Sequence, residues 1–424
     1  MVADTEALRA ISDSFVRSHD FNGVPARRLL AAFNVGRPEL EGQLSRLLIS
    51  GQISLAFASH SENPHIKRLL DLPLDAQLAQ LPKEDINGIC VYPAADTIRS
   101  HTELPEYDDR PYTRRLALAE PQLVPAFFEL NILEKYFRDP RYLCWFGDSS
   151  GSISIRDEYY LSDQTPERDK VSLRTFGIGY SHDRIRVLVV FLRYLSDLSA
   201  DHQQAWKAHE VPGPCAINSD YERAVIWGAW PEFRSVYEAF IQEQIEINKL
   251  ASLIGKPPLF RATFEAYQRP IEFSPMLRPT RRNLQDFIHL LDKMLSENLN
   301  KDFFKGDVPF EDRIESSDGS VEKRSLNTIT LLESWLTPRY RTRDGEDVAQ
   351  EISGPLREVR KARQPAAHAL GPDEYDQSFP KQQDDLLGRV KQTLTKLRLV
   401  LSSHPRARGY AAPDWLDGDK IVFY

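Results

Sequence analysis

The chain has 424 residues, of which 41% are hydrophobic and 27% charged, with a net charge of -8. This is an ordinary globular composition, long enough for two or three domains, and its acidic balance excludes a surface coated in positive charge for nucleic acid, leaving only local basic patches. Cys90, Cys144 and Cys215 lie far apart without the CxxC or Cys/His spacing of a zinc site, so no disulfide framework is expected and a reducing compartment fits.

Residues 1–19 place Asp4, Glu6, Arg9, Asp13 and Arg17 on a helical period, unlike a signal or transit peptide. No apolar run approaches the roughly 20 residues of a membrane span, and a cytoplasmic location without membrane contact is the expectation. Residues 5–19, with Leu8, Ile11, Phe15 and Val16 at helical spacing, predict an amphipathic helix. Asn22 and Gly23 end it. A second helix follows Pro25, and a third opens near Pro38, with Leu40, Leu44, Leu47 and Leu48 inward and Arg37, Glu39, Glu41, Gln43 and Arg46 outward. Residues 52–57 read as a strand.

Three short helices and a strand resemble a winged helix-turn-helix. In that family the third helix enters the DNA major groove, which would make Arg37 and Arg46 nucleic-acid contacts. Glu39 and Glu41 would repel phosphates, so a protein-docking or packing module is the other reading. Residues 1–95 form this module with its linker.

Residues 96–275 are expected to form an α+β domain of unassigned role. Residues 122–136 are apolar and predict a helix. Residues 142–146, 152–155 and 171–176 are rich in β-branched and aromatic side chains and predict strands. Residues 185–195 are either a buried strand or the start of a helix. Residues 200–209 and 221–253 predict helices.

Residues 276–424 read as an antiparallel helical bundle. The spacing predicts helices over 282–299, 325–335, 348–362 (with Gly354 and Pro355 as a break) and 381–402, separated by a polar loop over 301–323. The fold class expected for the whole chain is multi-domain and mainly α.

Between the last two helices lie Arg363, Gln364 and, after four intervening residues, His368. Residues five apart on one continuous helix point about 140° away from each other. Pro365 disfavours helical geometry at Gln364 and suits the opening of a new helix, which lets Arg363 and His368 turn to a common side. The segment resembles the HEPN superfamily, whose mark is an arginine, a polar residue and a histidine after four to six residues, among the later helices of a bundle. The resemblance covers at most residues 276–424. It implies a metal-independent endoribonuclease, acting as a homodimer with two motifs facing one cleft, in a prokaryotic toxin or antiphage setting. His368 would be the general acid or base, Arg363 would hold the scissile phosphate, and Gln364 would orient one of them. No cofactor or metal is expected. Other members of the superfamily are silent binding or dimerisation modules, and Arg363 as an ion-pair partner with His368 packed is the structural alternative.

A basic run of Arg357, Arg360, Lys361 and Arg363, with Arg278, Arg281, Arg282, Arg339, Arg341 and Arg343 nearby in sequence, would line an RNA groove. A regulatory protein partner is the further expectation. The rival class is a non-catalytic winged-helix regulator whose C-terminal bundle only dimerises. Gly177-Ile178-Gly179 lacks the rest of a dinucleotide fingerprint. His182, His202 and His209 show no metal pattern, and Trp206, Trp227 and Trp230 are expected in the core.

Overall fold

The structure, a computed structural model, describes residues 3–18, 20–104, 107–147, 149–265, 268–315, 321–340, 347–363 and 372–424. The chain is mixed α and β, 48% helical and 15% strand, which corrects the expectation of a mainly α protein. It divides into two compact units, Met1–Cys144 with Ser152–Ile217, and Trp145–Gly151 with Asn218–Tyr424.

The first unit opens with α1 (Asp4–Val16), β1 (Val24–Pro25), α2 (Ala26–Phe33), α3 (Arg37–Ile49) and β2 (Ile53–Phe57). Residues 58–88, which include α4 (Leu74–Gln80), lead to β3 (Ile89–Pro93). The three strands form an antiparallel sheet in the order β1-β3-β2. Helix α1 buries Leu8, Ile11, Phe15 and Val16, as its period predicts, and α3 buries Leu40, Leu44, Leu47 and Leu48. Gln43 departs from expectation. It is buried and donates to Asp4 Oδ1 at 3.2 Å, because its position falls on the inward side beside Leu44 and Leu47.

Next come α5 (Ala95–His101), α6 (Pro111–Ala117), β4 (Pro125–Phe128), α7 (Glu134–Phe137), β5 (Tyr142–Phe146), β6 (Ser150–Ile155), α8 (Asp157–Tyr160), β7 (Ser172–Ser181), β8 (Arg186–Phe191), α9 (Leu192–Leu195), α10 (Ala200–Ala208) and β9 (Cys215–Ile217). The strands build one sheet in the order β4-β8-β7-β6-β5, with β9 also paired to β7. Residues 122–136 are therefore not one helix. Pro125 to Phe128 pair antiparallel with β8, whose Val187 to Phe191 are buried, and helix resumes only after them. The ambiguous stretch 185–195 is both of its readings in succession, strand and then helical turn. Gly177-Ile178-Gly179 lies inside β7 and pairs with β8. A Cβ at Gly179 would stand 2.8 Å from the Ala216 carbonyl oxygen, so this glycine lets β9 approach β7 closely.

The second unit holds α11 (Ser219–Trp227), β10 (Arg234–Ser235), α12 (Val236–Leu253), α13 (Arg281–Met294), the hairpin β11 (Glu311–Glu315) and β12 (Val321–Ser325), α14 (Thr328–Leu336), α15 (Val348–Arg363), α16 (Phe379–Ser402) and β13 (Ile421–Val422). The stretch 221–253 is two helices, split where Gly228 takes a left-handed φ of 63°. Asn218, Ser235, Thr280 and Asn327 accept backbone N–H bonds at the starts of α11, α12, α13 and α14, each such cap contributing about 1 kcal/mol. Helix α12, placed in the middle region by sequence, packs on α16, and α13, α14 and α16 all pack against α15. Phe240, Leu250, Leu291, Leu332, Ile352, Val359, Leu387 and Leu394 are among the buried side chains of one continuous core.

Gly354 and Pro355 do not break α15, which runs through both. Proline forgoes one backbone hydrogen bond. The apolar face of Ala349, Ile352, Leu356 and Val359 is buried on either side of it, so packing carries the helix across. A second buried feature is ionic. Arg398 on α16 is 2% exposed and donates from Nε to Glu243 Oε2 on α12 at 2.7 Å, while its Nη1 reaches Asp417 Oδ2 at 3.3 Å. Among the described residues no helix is long and apolar enough to cross a membrane.

Candidate functional site

The last turn of α13 and the turn that follows it supply three polar side chains, Asp292, Ser296 and Glu297. The turn is held by backbone bonds from Leu295 N and Glu297 N to the Asp292 carbonyl oxygen, at 3.3 and 3.1 Å. Asn298 secures its far side, donating to the Ala262 carbonyl at 2.7 Å and accepting from Ala262 N at 2.9 Å. Asp292 is fully buried, at 0% side-chain exposure. A carboxylate in that position must be paired and hydrogen-bonded or it would destabilise the fold by several kcal/mol.

Helix α15 provides the pairing. Arg363 Nη1 donates to Asp292 Oδ2 at 2.7 Å, Arg360 Nε stands 3.7 Å from Oδ1, and Ser296 donates its hydroxyl to the same carboxylate. Glu297 Oε1 also accepts from Arg363 Nη1. The two acids differ in environment: Glu297 is 37% exposed where Asp292 is 0%. Both bonds of Arg363 to the described residues leave from Nη1. Its Nε and Nη2 donate to no described residue, and the side chain is 34% exposed. The side-chain bonds from Glu297 and then Asp292 push Arg363 above the usual arginine range, so it stays charged. Three basic residues in the last turn, Arg360, Lys361 and Arg363, also suit the negative end of the helix dipole.

The other predicted site residues are distributed as follows. Arg357 turns away from the cluster. It forms a two-pronged bond with Glu333 on α14, Nη1 to Oε1 at 3.0 Å, and also reaches Ser353 Oγ at 3.2 Å. Lys361 is exposed. Gln364 and His368 lie outside the described residues, as do Arg341 and Arg343. Arg281 is paired with Glu374, and Arg339 with Asp307 at 3.3 Å. In the first unit, Arg37 donates to Glu41 at 2.6 Å and to the carbonyls of Pro82 and Glu84 at 3.2 and 2.8 Å, tying α3 to the segment after α4. Arg46 is paired with Asp4 at 2.9 Å.

Two of the three tryptophans expected in the core are at the surface. Trp206 is fully buried, whereas Trp227 is 64% and Trp230 91% exposed, because both fall at the end of α11 and in the loop beyond it. His202 is packed in the core of the first unit, His209 faces Glu129 at 3.2 Å, and His182 is exposed. Among the described residues no group of three or more His, Cys, Asp or Glu side chains is placed to hold a metal ion.

Asp292 and Glu297 escaped the reading of the sequence. The signal for Asp292 was present. It stands one helical turn after Ile288 and beside Leu291, inside the stripe that also includes Leu284, Phe287 and Leu295. An acid at such a stripe position is buried and needs a cation. Comparison of the chain with protein-family models, with curated proteins and with solved structures gives no match.

Proposed function

We propose that the protein is an endoribonuclease of the HEPN kind, cutting RNA without a metal and working as a homodimer through its C-terminal bundle. The observation that carries this reading is the state of Arg363. It is a charged guanidinium at the end of α15, anchored through Nη1 on a buried aspartate, with Nε and Nη2 donating to no described residue. A fixed, half-exposed arginine of this kind can take a phosphate oxygen pair and stabilise the charge that grows on it during cleavage.

In this reading the RNA 2′-oxygen attacks the adjacent phosphorus and the bond to the 5′-oxygen breaks. The products are a 2′,3′-cyclic phosphate end and a 5′-hydroxyl end. In the homodimer one copy of His368 takes the proton from the 2′-hydroxyl and the second copy gives one to the departing 5′-oxygen, with Gln364 orienting each ring. Arg360 and Lys361 present their positive charge to the RNA backbone from the last turn of α15. A toxin or antiphage setting in the cytoplasm, restrained by a partner protein, follows from the family likeness alone.

The test is cleavage of a mixed-sequence RNA by the purified full chain in the presence of EDTA, with the product ends identified. Arg363→Ala and His368→Ala should each lower the rate by at least about a hundredfold, and both should relieve any toxicity on expression. Intact RNA after incubation with the folded wild-type protein would refute the reading.

One observation favours a second reading for the first unit. Its order of helix, strand, two helices and a strand, followed after α4 by a third strand that is central in the sheet, is compatible with a winged helix that carries an insertion between its last two strands. In that reading the protein is a DNA-binding regulator and the bundle only dimerises. The engagement of Arg37 and Arg46 with acids and carbonyls supports a packing module instead. A salt-sensitive gel shift with duplex DNA, weakened by Arg37→Ala or Arg46→Ala, would favour the regulator.

A further inference from the structure

The two carboxylates on Arg363 share one nitrogen of the guanidinium but differ in every respect that governs mobility. Asp292 is on α13 itself, fully buried, and held by Ser296 and by a second arginine, Arg360. Glu297 is in the turn beyond the helix, is more than a third exposed, and its side chain has Arg363 as its only hydrogen-bond partner among the described residues. A buried, triply contacted carboxylate is costly to release, whereas a half-exposed ion pair contributes little and exchanges with water easily.

We propose that Asp292 and Glu297 divide the control of Arg363 between them: Asp292 is the positioning residue that fixes the guanidinium, and Glu297 is an acidic gate that occupies it until a substrate phosphate displaces the glutamate. The inference rests on the ribonuclease reading of this site and adds the regulation built into it. A phosphodiester and a glutamate carboxylate present the same chemistry to arginine, two oxygens sharing negative charge. Nε and Nη2 of Arg363 donate to no described residue, but a phosphate on them would stand beside the Glu297 carboxylate on Nη1, and like charges at that distance repel. Binding of RNA therefore favours the Glu297 side chain swinging into solvent, which its exposure and its place in a turn allow. Asp292 stays, because withdrawing it would leave a buried charge without a partner. The gate also discriminates. A ligand with one weak negative charge does not displace Glu297, and a polyanion with Arg360 and Lys361 alongside does.

The experiment compares the full-length wild type with Glu297→Gln, Asp292→Asn, Arg363→Ala and the double variant Arg363→Ala with Glu297→Gln, all checked for fold by circular dichroism and thermal melting. The substrate is a fluorescein-labelled single-stranded RNA of mixed sequence, followed to steady state. Glu297→Gln should lower KM by up to about fivefold, the ceiling for a half-exposed pair, with kcat within a factor of about two. Asp292→Asn should act in the other direction and on the other constant, lowering kcat by about a hundredfold as the guanidinium loses its alignment. The gain from Glu297→Gln should vanish in the double variant, because it acts through Arg363. Where Asp292→Asn does not fold, Ser296→Ala, which removes one contact to the carboxylate, should show the same loss in kcat to a smaller degree. An unchanged or raised KM in Glu297→Gln overturns the gate. If the wild type cleaves RNA and Arg363→Ala does not, that result leaves the ribonuclease reading standing, so the two failures are told apart. Absence of cleavage by the wild type overturns both.

Discussion

His202 makes the stability of the first unit depend on pH, and the size of the effect follows from three side chains. The ring is 1% exposed, on α10. Its Nδ1 lies 2.8 Å from the Tyr136 hydroxyl oxygen, which in turn accepts from Trp206 Nε1 at 2.9 Å. Indole N–H only donates, so the tyrosine must use its own proton toward Nδ1, and the imidazole is the neutral form with its proton on Nε2. Among the described residues that Nε2 has no hydrogen-bond partner, and Asp169 Oδ1 is 3.9 Å away. A second proton, on Nδ1, would face the tyrosine O–H donor to donor. Burial, helped by Lys135, pushes His202 down from 6.5 to about 4 against the opposing pull of Asp169 and Asp201.

The unfolded chain therefore takes up this proton before the folded one does. Stability from the neutral ring is fully present above pH 6.5 and is lost as the pH falls toward 4, at about 1.4 kcal/mol per unit and about 3 kcal/mol in all. His202→Gln removes the titration. The assay is urea unfolding of wild type and variant at pH 7.5, 6.5, 5.5 and 4.5, with the histidine ring protons followed by NMR in the folded protein. At pH 7.5 the variant should be less stable by about 1 kcal/mol, the worth of an ordinary hydrogen bond. That gap should close and then reverse as the pH drops. A gap that is constant with pH, or a folded His202 that titrates above 6, would refute the reasoning.

Two further substitutions probe the packing. Gly179→Ala places a methyl group 2.8 Å from the Ala216 carbonyl and 3.2 Å from the Phe127 ring, and should destabilise the protein by about 1–3 kcal/mol, seen as a lower melting temperature; an unchanged melt would mean that β9 yields freely. Arg398→Ala removes the arginine from Glu243, which is 0% exposed and keeps only the Thr395 hydroxyl at 2.6 Å and Lys391 at 4.0 Å among the described residues, and should cost about 3 kcal/mol, while replacing both residues by apolar side chains of similar volume should recover most of it; denaturant midpoints of the single and double variants check this.

The comparison of pattern with structure separates two kinds of information. Helical periodicity located α1, α3, α13 and α16 to within about five residues, and β-branched and aromatic runs located β5, β6 and the first half of β7 while leaving the β8 stretch open between strand and helix, because amphipathic spacing is a local property of the chain. It failed where a distant partner outweighed local preference. Residues 125–128 became a strand because β8 offered a ladder for them. Pro355 stayed inside α15 because both flanks are buried. Trp227 and Trp230 went to the surface because α11 ends between them, which composition does not report.

The site divides in the same way. Sequence alone determined that Arg363, Gln364 and His368 stand close together in the chain, beside a basic run and between two predicted helices; it also holds an acid at position 292 inside an apolar stripe, a signal that escaped that reading. Only the tertiary structure decided that this acid meets Arg363 across a separation of 71 residues, that Arg357 is spent on Glu333, and that Arg37 and Arg46 are spent on Glu41 and Asp4. The physical reason is that a charge is visible in a sequence but its partner is not. Pairing depends on which helices pack side by side and how deeply each end is buried, and that is settled by the whole core at once.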